Sequence, residues 1–437
     1  MKFSNRFGKL VLFAATAQMV SVGSANAAGF EKGIMWGGRS AGVGGIATPY
    51  MTGAQALYFN PAGLANDKEG QDVSLNLSPT FPTFNGPINN ENTQETSKST
   101  TLIPGSLLYS RTLNDKVGVG IGYFASGGSN ATYENVGFPL LNNPTATVTT
   151  KTDLAVTEAS LGAGYKVSED LKVGLAWRVT MAKAEFAVAQ RDPTSSNVLN
   201  AQLSDLKATD FTGFRLGAQY KINETTRLGF NYRSEVNLKA DGNVGGKINA
   251  YGAPATIPLV NNSASVKTTF PMQANLGIMH EYPEWRALAD VSWTQYSRVK
   301  DIEIEGKVQR ADNNTVIRDR SAVPLDWQDE IQARLGGEYL GVSWPIRFGY
   351  AYTGQVTNKD KARATFVPPA AAHTLTVGTG QIFNVMENAL QFDVAGEYTM
   401  ASADAGTAPA GNTTNDFRSG KYEVNSYSVH MGLTYAF

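Results

Sequence analysis

The sequence predicts an all-β protein: a transmembrane antiparallel β-barrel of about fourteen strands with an N-terminal plug, or hatch, inside its lumen. Large apolar residues alternate with small or polar ones in many segments. The connections between those segments alternate between short and long, and a glycine- and alanine-rich stretch precedes the first of them. Together these observations indicate a wall with lipid on one side and water on the other.

The chain opens with a secretory signal. Basic residues among the first nine positions precede an apolar run over 10–22, and Ala25-Asn26-Ala27 matches an A-x-A cleavage site. The run is too short to span a bilayer as a helix. The sequence therefore predicts a signal peptide over residues 1–27, cleavage after Ala27, and a protein that leaves the cytoplasm.

Composition excludes several classes of function. After the signal no run of about 18 apolar residues follows, so no transmembrane helix is expected. The chain has no cysteine, which rules out disulfides and thiolate chemistry. A net charge of −1 gives no reason to expect nucleic acid as a partner.

Period-2 alternation is the signature of a strand with one apolar and one wet face. At the C-terminus every second residue over 427–437 is large and apolar, and the residues between are small or polar. The same alternation recurs at 171–182, 227–233, 272–278, 346–352 and 390–398.

The connections come in two sizes that strictly alternate. Short ones lie near 114–115, 168–170, 223–225, 282–284, 341–343 and 386–388. Long polar ones lie near 85–98, 128–149, 191–204, 241–263, 304–321, 357–371 and 402–420. This pattern is typical of an outer-membrane barrel, with both mature termini on the periplasmic, short-turn side. A secreted sandwich is the alternative, but several strands here exceed its usual five or six residues.

Aromatic residues cluster near the ends of the alternating segments, as interfacial girdles do. They are Tyr282, Trp285, Trp327, Trp344, Tyr435 and Phe437.

Residues 28–69 belong to none of the strands. They are dense in glycine and alanine, with little bulk for a core of their own. A fourteen-strand barrel is too wide for its own side chains to fill, and some large barrels hold a folded segment. The expected organisation is a hatch over 28–69 and a barrel over 70–437.

Several motifs resemble the FadL/TodX-type long-chain fatty acid transporter family. They are "AAGF" after the cleavage site, "GRSAGVGGIA", and "ALYFNPAGLA" with its Asn60-Pro61-Ala62 triplet and Gly63. Later segments, "PLDWQDEIQARLGGEYL", "WPIRFGYAYTGQ" and "HTLTVGTG", are also similar to that family. The resemblance covers the whole mature chain.

The resemblance implies a passive channel that captures hydrophobic molecules, binds them near the hatch, and releases them sideways through the wall. It places N-terminal residues, here Phe30 and Trp36, near the substrate pocket. This chain departs from the family there, reading "GFEKGIMW" in place of "GFQLNE", which bears on substrate identity. The family's lateral gap is a kink in the third strand, here over 117–126.

Glycines in strands commonly mark bulges or bends. The third strand and the two residues after it therefore supply the candidates for the lateral opening. These are Gly118, Gly120, Gly122, Gly127 and Gly128.

Several arginines occupy the small or polar positions of the alternating segments, which are expected to face the lumen. These arginines have two interpretations. Either they form ion pairs along the wall with carboxylates such as Glu338, Asp393 and Glu397, or one or two of them clamp a substrate carboxylate. The candidates for substrate binding are Arg178, Arg215, Arg334 and Arg347, and Arg227 and Arg233 share their parity.

Two motifs mimic catalytic sites. The stretch around Ser40 matches G-x-S-x-G, but the strand, helix and base that a hydrolase needs are absent from the sequence context. His280, His373 and His430 fall in three different segments and are expected to be solvated lumen or rim residues. The sequence predicts no enzyme, no cofactor and no metal site.

The favoured function is passive uptake of hydrophobic small molecules, long-chain fatty acids first, through the outer membrane. An aromatic hydrocarbon channel of the same family and a general porin or structural barrel are the alternatives. Outer-loop residues 138–141, Tyr251 and 257–259 are candidates for first capture. Expected partners are the substrate, outer-membrane lipid and lipopolysaccharide, and the barrel-insertion machinery. Asn60-Pro61 is expected to hold the hatch compact.

Overall fold

The structure is a computed structural model that describes residues 30, 36–66, 70–87, 94–97, 101–137, 147–191, 197–250, 255–365, 367–405 and 420–437. The predicted signal peptide, together with 138–141 and Tyr251, lies outside the described residues. Within the described ranges, no helix has the length and apolarity to cross a membrane.

Strands dominate the chain. In chain order they are β1 (Gln71–Leu77), β2 (Thr80–Pro87), β3 (Gln94–Thr96), β4 (Gly105–Thr112), β5 (Val117–Gly137), β6 (Thr147–Lys166), β7 (Leu171–Arg191), β8 (Val198–Lys221), β9 (Thr226–Arg233), β10 (Val236–Asn249), β11 (Thr256–Pro258), β12 (Asn262–Phe270), β13 (Gln273–Glu281), β14 (Trp285–Thr294), β15 (Asp301–Gln309), β16 (Val316–Pro324), β17 (Glu330–Tyr339), β18 (Ile346–Thr353), β19 (Ala372–Val385), β20 (Asn388–Asp404) and β21 (Lys421–Ala436). The helices are α1 (Gly38–Gly42), α2 (Ala56–Phe59) and the 3₁₀ turns Pro61–Leu64, Tyr296–Arg298 and Lys359–Lys361.

Fourteen of these strands form a closed antiparallel ring. The order around the ring is β1, β4, β5, β6, β7, β8, β9, β13, β14, β17, β18, β19, β20 and β21. The ring closes where β1 pairs with β21, and Gln71 and Phe437 exchange backbone hydrogen bonds of 2.9 and 2.8 Å. Closure leaves no free sheet edge, which a membrane-embedded sheet requires because lipid cannot satisfy unpaired backbone groups.

The two faces of the wall differ as the alternation predicts. Outward residues are apolar and open, and Leu161, Leu175 and Leu276 are 54, 55 and 54% exposed. Inward residues are polar and buried, including Asn76 (0% exposed) and Arg215 (2%). An apolar exterior around a polar interior is the arrangement of a barrel in lipid.

All six predicted short turns are present, at the end of the barrel that holds Phe437. At the opposite end, several segments predicted as long loops are paired strands. The predicted loop 241–263 contains most of β10 and all of β11, and 304–321 contains parts of β15 and β16. Period-2 alternation fades there because the strands have left the lipid, whereas backbone pairing does not depend on side-chain polarity.

The prediction that Trp327 belongs to an interfacial girdle is wrong. Trp327 is 2% exposed, whereas Tyr282, Trp285 and Trp344 are 54, 45 and 42% exposed as girdle residues should be. Trp327 lies in the connection between β16 and β17, beyond the wall, and its ring turns inward onto Phe30 and Tyr296.

Candidate functional site

Residues 36–66, here called the lumenal segment, cross the interior of the barrel. The helix α1 contacts β18, β19, β20 and β21, and the 3₁₀ turn Pro61–Leu64 contacts β4 to β8 on the other side. Nearly every residue of the segment is buried. The segment therefore touches opposite walls of the lumen at once.

Asn60 fixes the turn of the lumenal segment and ties it to the wall. Its Oδ1 accepts a hydrogen bond from the Ala62 amide at 3.2 Å, which caps the 3₁₀ turn that begins at Pro61. Its Nδ2 donates to the Thr48 carbonyl at 2.8 Å and to the Ala218 carbonyl of β8 at 2.9 Å. One buried amide thus joins two parts of the segment to one strand.

The wall meets this turn through glycines. Gly118, Gly164, Gly174 and Gly217 are in register on four neighbouring strands, β5 to β8, and form what we call the glycine row. A Cβ at Gly174 would lie 2.2 Å from the Pro61 carbonyl carbon, and one at Gly118 would lie 1.8 Å from the Leu64 oxygen. Any side chain in the row would displace the segment.

The same contact recurs around the ring. Gly229 and Gly277 are paired across β9 and β13 and face Thr48 and Pro49, and Gly336 and Gly349 are paired across β17 and β18 and face Val43 and Gly44. The lumenal segment is therefore fitted to the wall mainly by backbone against backbone.

The glycines considered for a lateral opening divide into two groups. Gly118, Gly120 and Gly122 lie under the lumenal segment, where a Cβ would meet Leu64 or, at Gly122, Leu108 and Leu57. Gly127 and Gly128 lie at a bulge in β5, where the register with β6 shifts between Ala125 and Gly127.

Phe30 binds directly to that bulge. Its carbonyl accepts a hydrogen bond of 2.8 Å from the Gly128 amide, and its own amide donates to the Tyr296 hydroxyl at 3.1 Å. Its ring is 5% exposed and lies 4.8 Å from the Phe270 ring and 4.9 Å from the Trp327 ring, centroid to centroid. The N-terminal residue predicted near the pocket thus connects the bulged strand to an aromatic cluster.

An apolar cavity lies beside Phe30. The cavity has a volume of about 40 Å³ and is bordered by Phe30 and Phe270 and by side chains of β6, β7, β8, β10, β12 and β15. Examples are Leu154, Ala182, Leu206, Val266 and Ile302. The lining suits an apolar chain or ring, and such a ligand needs Phe30 to move because the cavity itself holds only a few water-sized volumes.

A smaller compartment of about 10 Å³, with several polar lining residues, adjoins the other side of Phe30. Its lining includes Ser126 and Gly127 of the bulge together with Arg178, Thr180 and Arg233. The Thr180 hydroxyl is buried and has no hydrogen-bond partner among the described residues. Phe30 thus separates an apolar cavity from a polar compartment that reaches the bulge.

Trp36 lies at the start of the lumenal segment and is fully buried. Its indole nitrogen donates to the Ala125 carbonyl at 2.9 Å, one residue before the bulge. Its ring packs against Tyr58 and Phe124 at centroid distances of 4.9 and 5.8 Å. The second N-terminal candidate therefore also contacts β5.

Two of the predicted arginines share one carboxylate. Arg178 Nε and Arg215 NH1 lie 2.8 and 2.9 Å from the two oxygens of Glu158, a residue on β6 that is fully buried. Arg215 also lies 5.0 Å from the centroid of the Tyr58 ring, in the lumenal segment. This triad braces the wall beneath α2.

The other two arginines lie on the opposite wall. Arg347 pairs with Glu338 at 2.7 Å and Asp393 at 2.6 Å, directly beneath Gly42 of α1. Arg334 pairs with Asp290 at 3.1 Å. All four predicted arginines are therefore engaged with wall carboxylates, and only Arg178 lines the compartment beside Phe30.

Sequence analysis did not predict one chain of hydrogen bonds between buried polar side chains. His430 is fully buried, with Nδ1 2.8 Å from the Ser78 hydroxyl and Nε2 2.9 Å from Glu397 Oε2. The expectation of a solvated His430 is wrong, because only the folded register brings these three residues together. Ser78 is fully buried as well, so its hydroxyl cannot meet a substrate, and the chain joins β20 and β21 to the break between β1 and β2.

The other motif that resembles a catalytic site also has a structural role. Ser40 lies within α1, is 1% exposed, and donates to the Trp36 and Gly37 carbonyls at 3.3 and 3.2 Å. Among the described residues, no group of His, Asp and Glu is arranged to hold a metal ion.

A closed barrel with an apolar exterior, an internal N-terminal segment and an apolar cavity beside it defines an outer-membrane transport barrel for hydrophobic substrates. The chain belongs to the outer membrane protein transport protein family (OMPP1/FadL/TodX), whose family model matches residues 18–437. It is therefore an outer-membrane transporter of hydrophobic substrates, and a channel rather than an enzyme.

Individual relatives are distant in sequence. The chain is 23% identical over 316 residues to the long-chain fatty acid transport protein of Escherichia coli O6:H1, covering 66% of this chain and 68% of that one. It is 22% identical over 403 residues to outer membrane protein P1 of Haemophilus influenzae Rd, covering 80% and 82%. The structure of the Pseudomonas putida toluene transporter TodX aligns with a TM-score of 0.72 at 18% identity, covering 93% and 99%. That likeness shows the shared fold.

Proposed function

We propose that the protein takes up long-chain fatty acids through a site divided by Phe30, with release through the bulge of β5. The observation that carries the proposal is that Phe30 both borders the apolar cavity and accepts the Gly128 hydrogen bond. A ligand that displaces Phe30 together with its backbone carbonyl therefore also releases the bulged strand. Both termini face the periplasm in this proposal, and the long connections face outward.

Transfer of the acyl chain into the cavity supplies the driving force. Each CH₂ group removed from water contributes about 0.8 kcal/mol, so capture needs no energy source. The carboxylate would lie in the polar compartment, where Arg233 and the unpaired Thr180 hydroxyl can meet it. The molecule then lies across Phe30, with its head next to Ser126 and Gly127.

An aromatic hydrocarbon is the second candidate. The ring of Phe30 already contacts Phe270 and Trp327 in this cluster, so a flat aromatic molecule could take its place. Such a substrate has no head group and would not need Arg233.

The test is uptake of radiolabelled oleate and of toluene by cells that carry the protein or lack it. Replacing Arg233 with Gln removes one charged hydrogen bond, worth about 1.5–3 kcal/mol, so the half-saturating oleate concentration should rise roughly tenfold or more. Toluene uptake should change less than twofold. The reverse pattern would assign the site to aromatic hydrocarbons.

Replacing Phe30 with Ala separates a transporter from a porin or structural barrel. If Phe30 gates transport, the Phe30→Ala variant takes up oleate at a different rate from wild type. Entry of a hydrophilic dye stays the same as in wild type. Equal entry of dye and oleate would contradict the proposal.

A first capture site on the outer connections remains part of the proposal. Of its candidate residues, Pro258 is exposed, whereas Leu259 is buried in the apolar cluster around the cavity. Leu259 would therefore act with the cavity wall, and Ile257 and Pro258 would meet substrate from outside.

A further inference from the structure

Beyond the wall strands, β10, β12 and β15 form a small sheet with two different faces. Leu238, Val266 and Ile302 point inward and border the apolar cavity. Lys239 and Lys267 point the other way and line an open groove with a volume of about 300 Å³. The remaining charged residues of the groove are Arg298, Lys300, Asp301 and Glu303.

Two of the cations that line the groove face each other across neighbouring strands. Lys239 and Lys267 are directly opposite on antiparallel strands, where like charges destabilise a sheet. The nearest carboxylate to Lys239 is Asp241, at 3.8 Å and largely exposed. Lys267 pairs with Glu305 at 3.1 Å, and this hydrogen bond lowers the pKa of Glu305. The facing lysines are thus only partly compensated.

Lys300 and Arg298, which lie next to this pair, also have N–H donors that an anion can use. Among the described residues, Lys300 has no carboxylate within 4 Å and acts on Asp329 only from a greater distance. Arg298 engages Glu235 through Nε at 3.2 Å and is 59% exposed at its side chain. A guanidinium presents a fork of N–H groups that suits phosphate oxygens. The groove therefore has the composition of an anion site, in spite of Asp301 and Glu303 in its lining.

The position of the groove indicates which anion. The outward face of the neighbouring wall ends in large apolar residues, including Phe211 and Phe214 at 61 and 38% exposure, with Trp293 of β14 near the same end. Aromatic residues mark the boundary between hydrocarbon and head groups. The groove begins directly after this boundary, at the level of the lipid head groups.

We propose that this groove binds a phosphate of the outer-leaflet lipopolysaccharide, whose acyl chains lie along the apolar wall below. The lipid assignment rests on the proposed orientation, in which this end of the barrel faces outward. A bound phosphate would relieve the repulsion between Lys239 and Lys267. It would also hold the sheet whose other face closes the substrate cavity.

The experiment is native mass spectrometry of the purified protein with bis-phosphorylated lipid A, dephosphorylated lipid A and inorganic phosphate. The variant Lys239→Gln/Lys267→Gln should weaken binding of bis-phosphorylated lipid A at least tenfold. The control variant Lys247→Gln/Lys307→Gln removes two lysines from the same sheet but outside the groove, and should bind like wild type. Heat-dependent gel mobility would confirm a folded barrel in both.

Three outcomes would overturn the proposal. These are equal weakening in both variants, equal binding of lipid A with and without phosphates, or inorganic phosphate that displaces lipid A at equal concentration. Binding in detergent does not depend on which way the barrel is inserted. Failure here is therefore distinct from failure of the proposed orientation or of fatty acid uptake, each of which has its own test.

Discussion

At the scale of single residues, Asn60 is the most connected side chain of the lumenal segment. Its amide makes three hydrogen bonds while fully buried. Replacing it with Ala removes the donors to the Thr48 and Ala218 carbonyls, at about 0.5–1.5 kcal/mol for each hydrogen bond, although Thr48 keeps the Gln219 Nε2 bond at 3.3 Å. The expected result is a loosened segment, seen as raised ion conductance of the protein in planar bilayers.

The control for this change is Asn66→Ala, at the end of the same segment, where the side chain is not fully buried. Conductance equal to wild type in both variants would show that Asn60 does not hold the segment in place.

The glycine row makes a second residue-scale prediction. A Cβ at Gly174 would lie 2.2–2.4 Å from Pro61 and Ala62 backbone atoms, which no rotamer change can relieve. Gly174→Ala should therefore raise conductance and reduce oleate uptake. At Gly396 on the same barrel a Cβ meets nothing within 4 Å, so Gly396→Ala should leave both measurements unchanged.

Sequence analysis could find Asn60 but not the glycine row. The triplet is local, and its proline and asparagine carry turn chemistry that can be interpreted from a few residues. The row exists only across strands, because Gly118 and Gly217 are separated by three connections and come into line only after three registers are set. The pairing of His430 with Ser78 was hidden for the same reason.

At the scale of elements, β5 combines a long hydrogen-bonded ladder with two register shifts, one at Ala125/Gly127 and one at Tyr133/Val136. Ser126 is the extra residue of the bulge, and Gly128, two residues further on, binds Phe30. Deleting Ser126 would remove the first of these shifts, making the ladder with β6 continuous as far as Tyr133, and should close the proposed lateral exit. We expect oleate uptake by cells to fall at least fivefold while the barrel still folds.

Ser126→Ala keeps the residue count and hence the bulge, so it should transport like wild type. Normal uptake by the deletion variant, with its fold verified by heat-dependent mobility, would rule out exit at this bulge.

The alternation of residues predicted the membrane part of the strands well and their outer parts poorly. The alternating stretches 171–182 and 427–437 lie almost wholly in β7 and β21, because lipid on one face and water on the other impose period 2. In β10 and β12 no lipid selects for apolar residues, and the pairing was not visible. Trp327 was misplaced because its aromatic type suits a girdle and a buried cluster equally well.

At the scale of the whole molecule, the orientation of the barrel can be tested directly because the chain has no cysteine. Glu224 lies in a short turn and Asp312 in a long connection, and each carboxylate pairs with a neighbouring cation, Lys221 or Arg310. In intact cells, a membrane-impermeant maleimide should label Asp312→Cys and spare Glu224→Cys. Labelling of Glu224→Cys alone would show that the barrel has the opposite orientation in the membrane.

The closure between β1 and β21 constrains how the molecule assembles. The seam joins residues about as far apart in the chain as the ring allows, and such distant pairing is slow because a long loop must close first. The lumenal segment directly precedes β1, so it is synthesised before any wall strand and is tethered at the seam. The last strand therefore closes the ring around the lumenal segment, which comes before it in the chain. An interior element attached after β21 would instead have to thread into a finished cylinder.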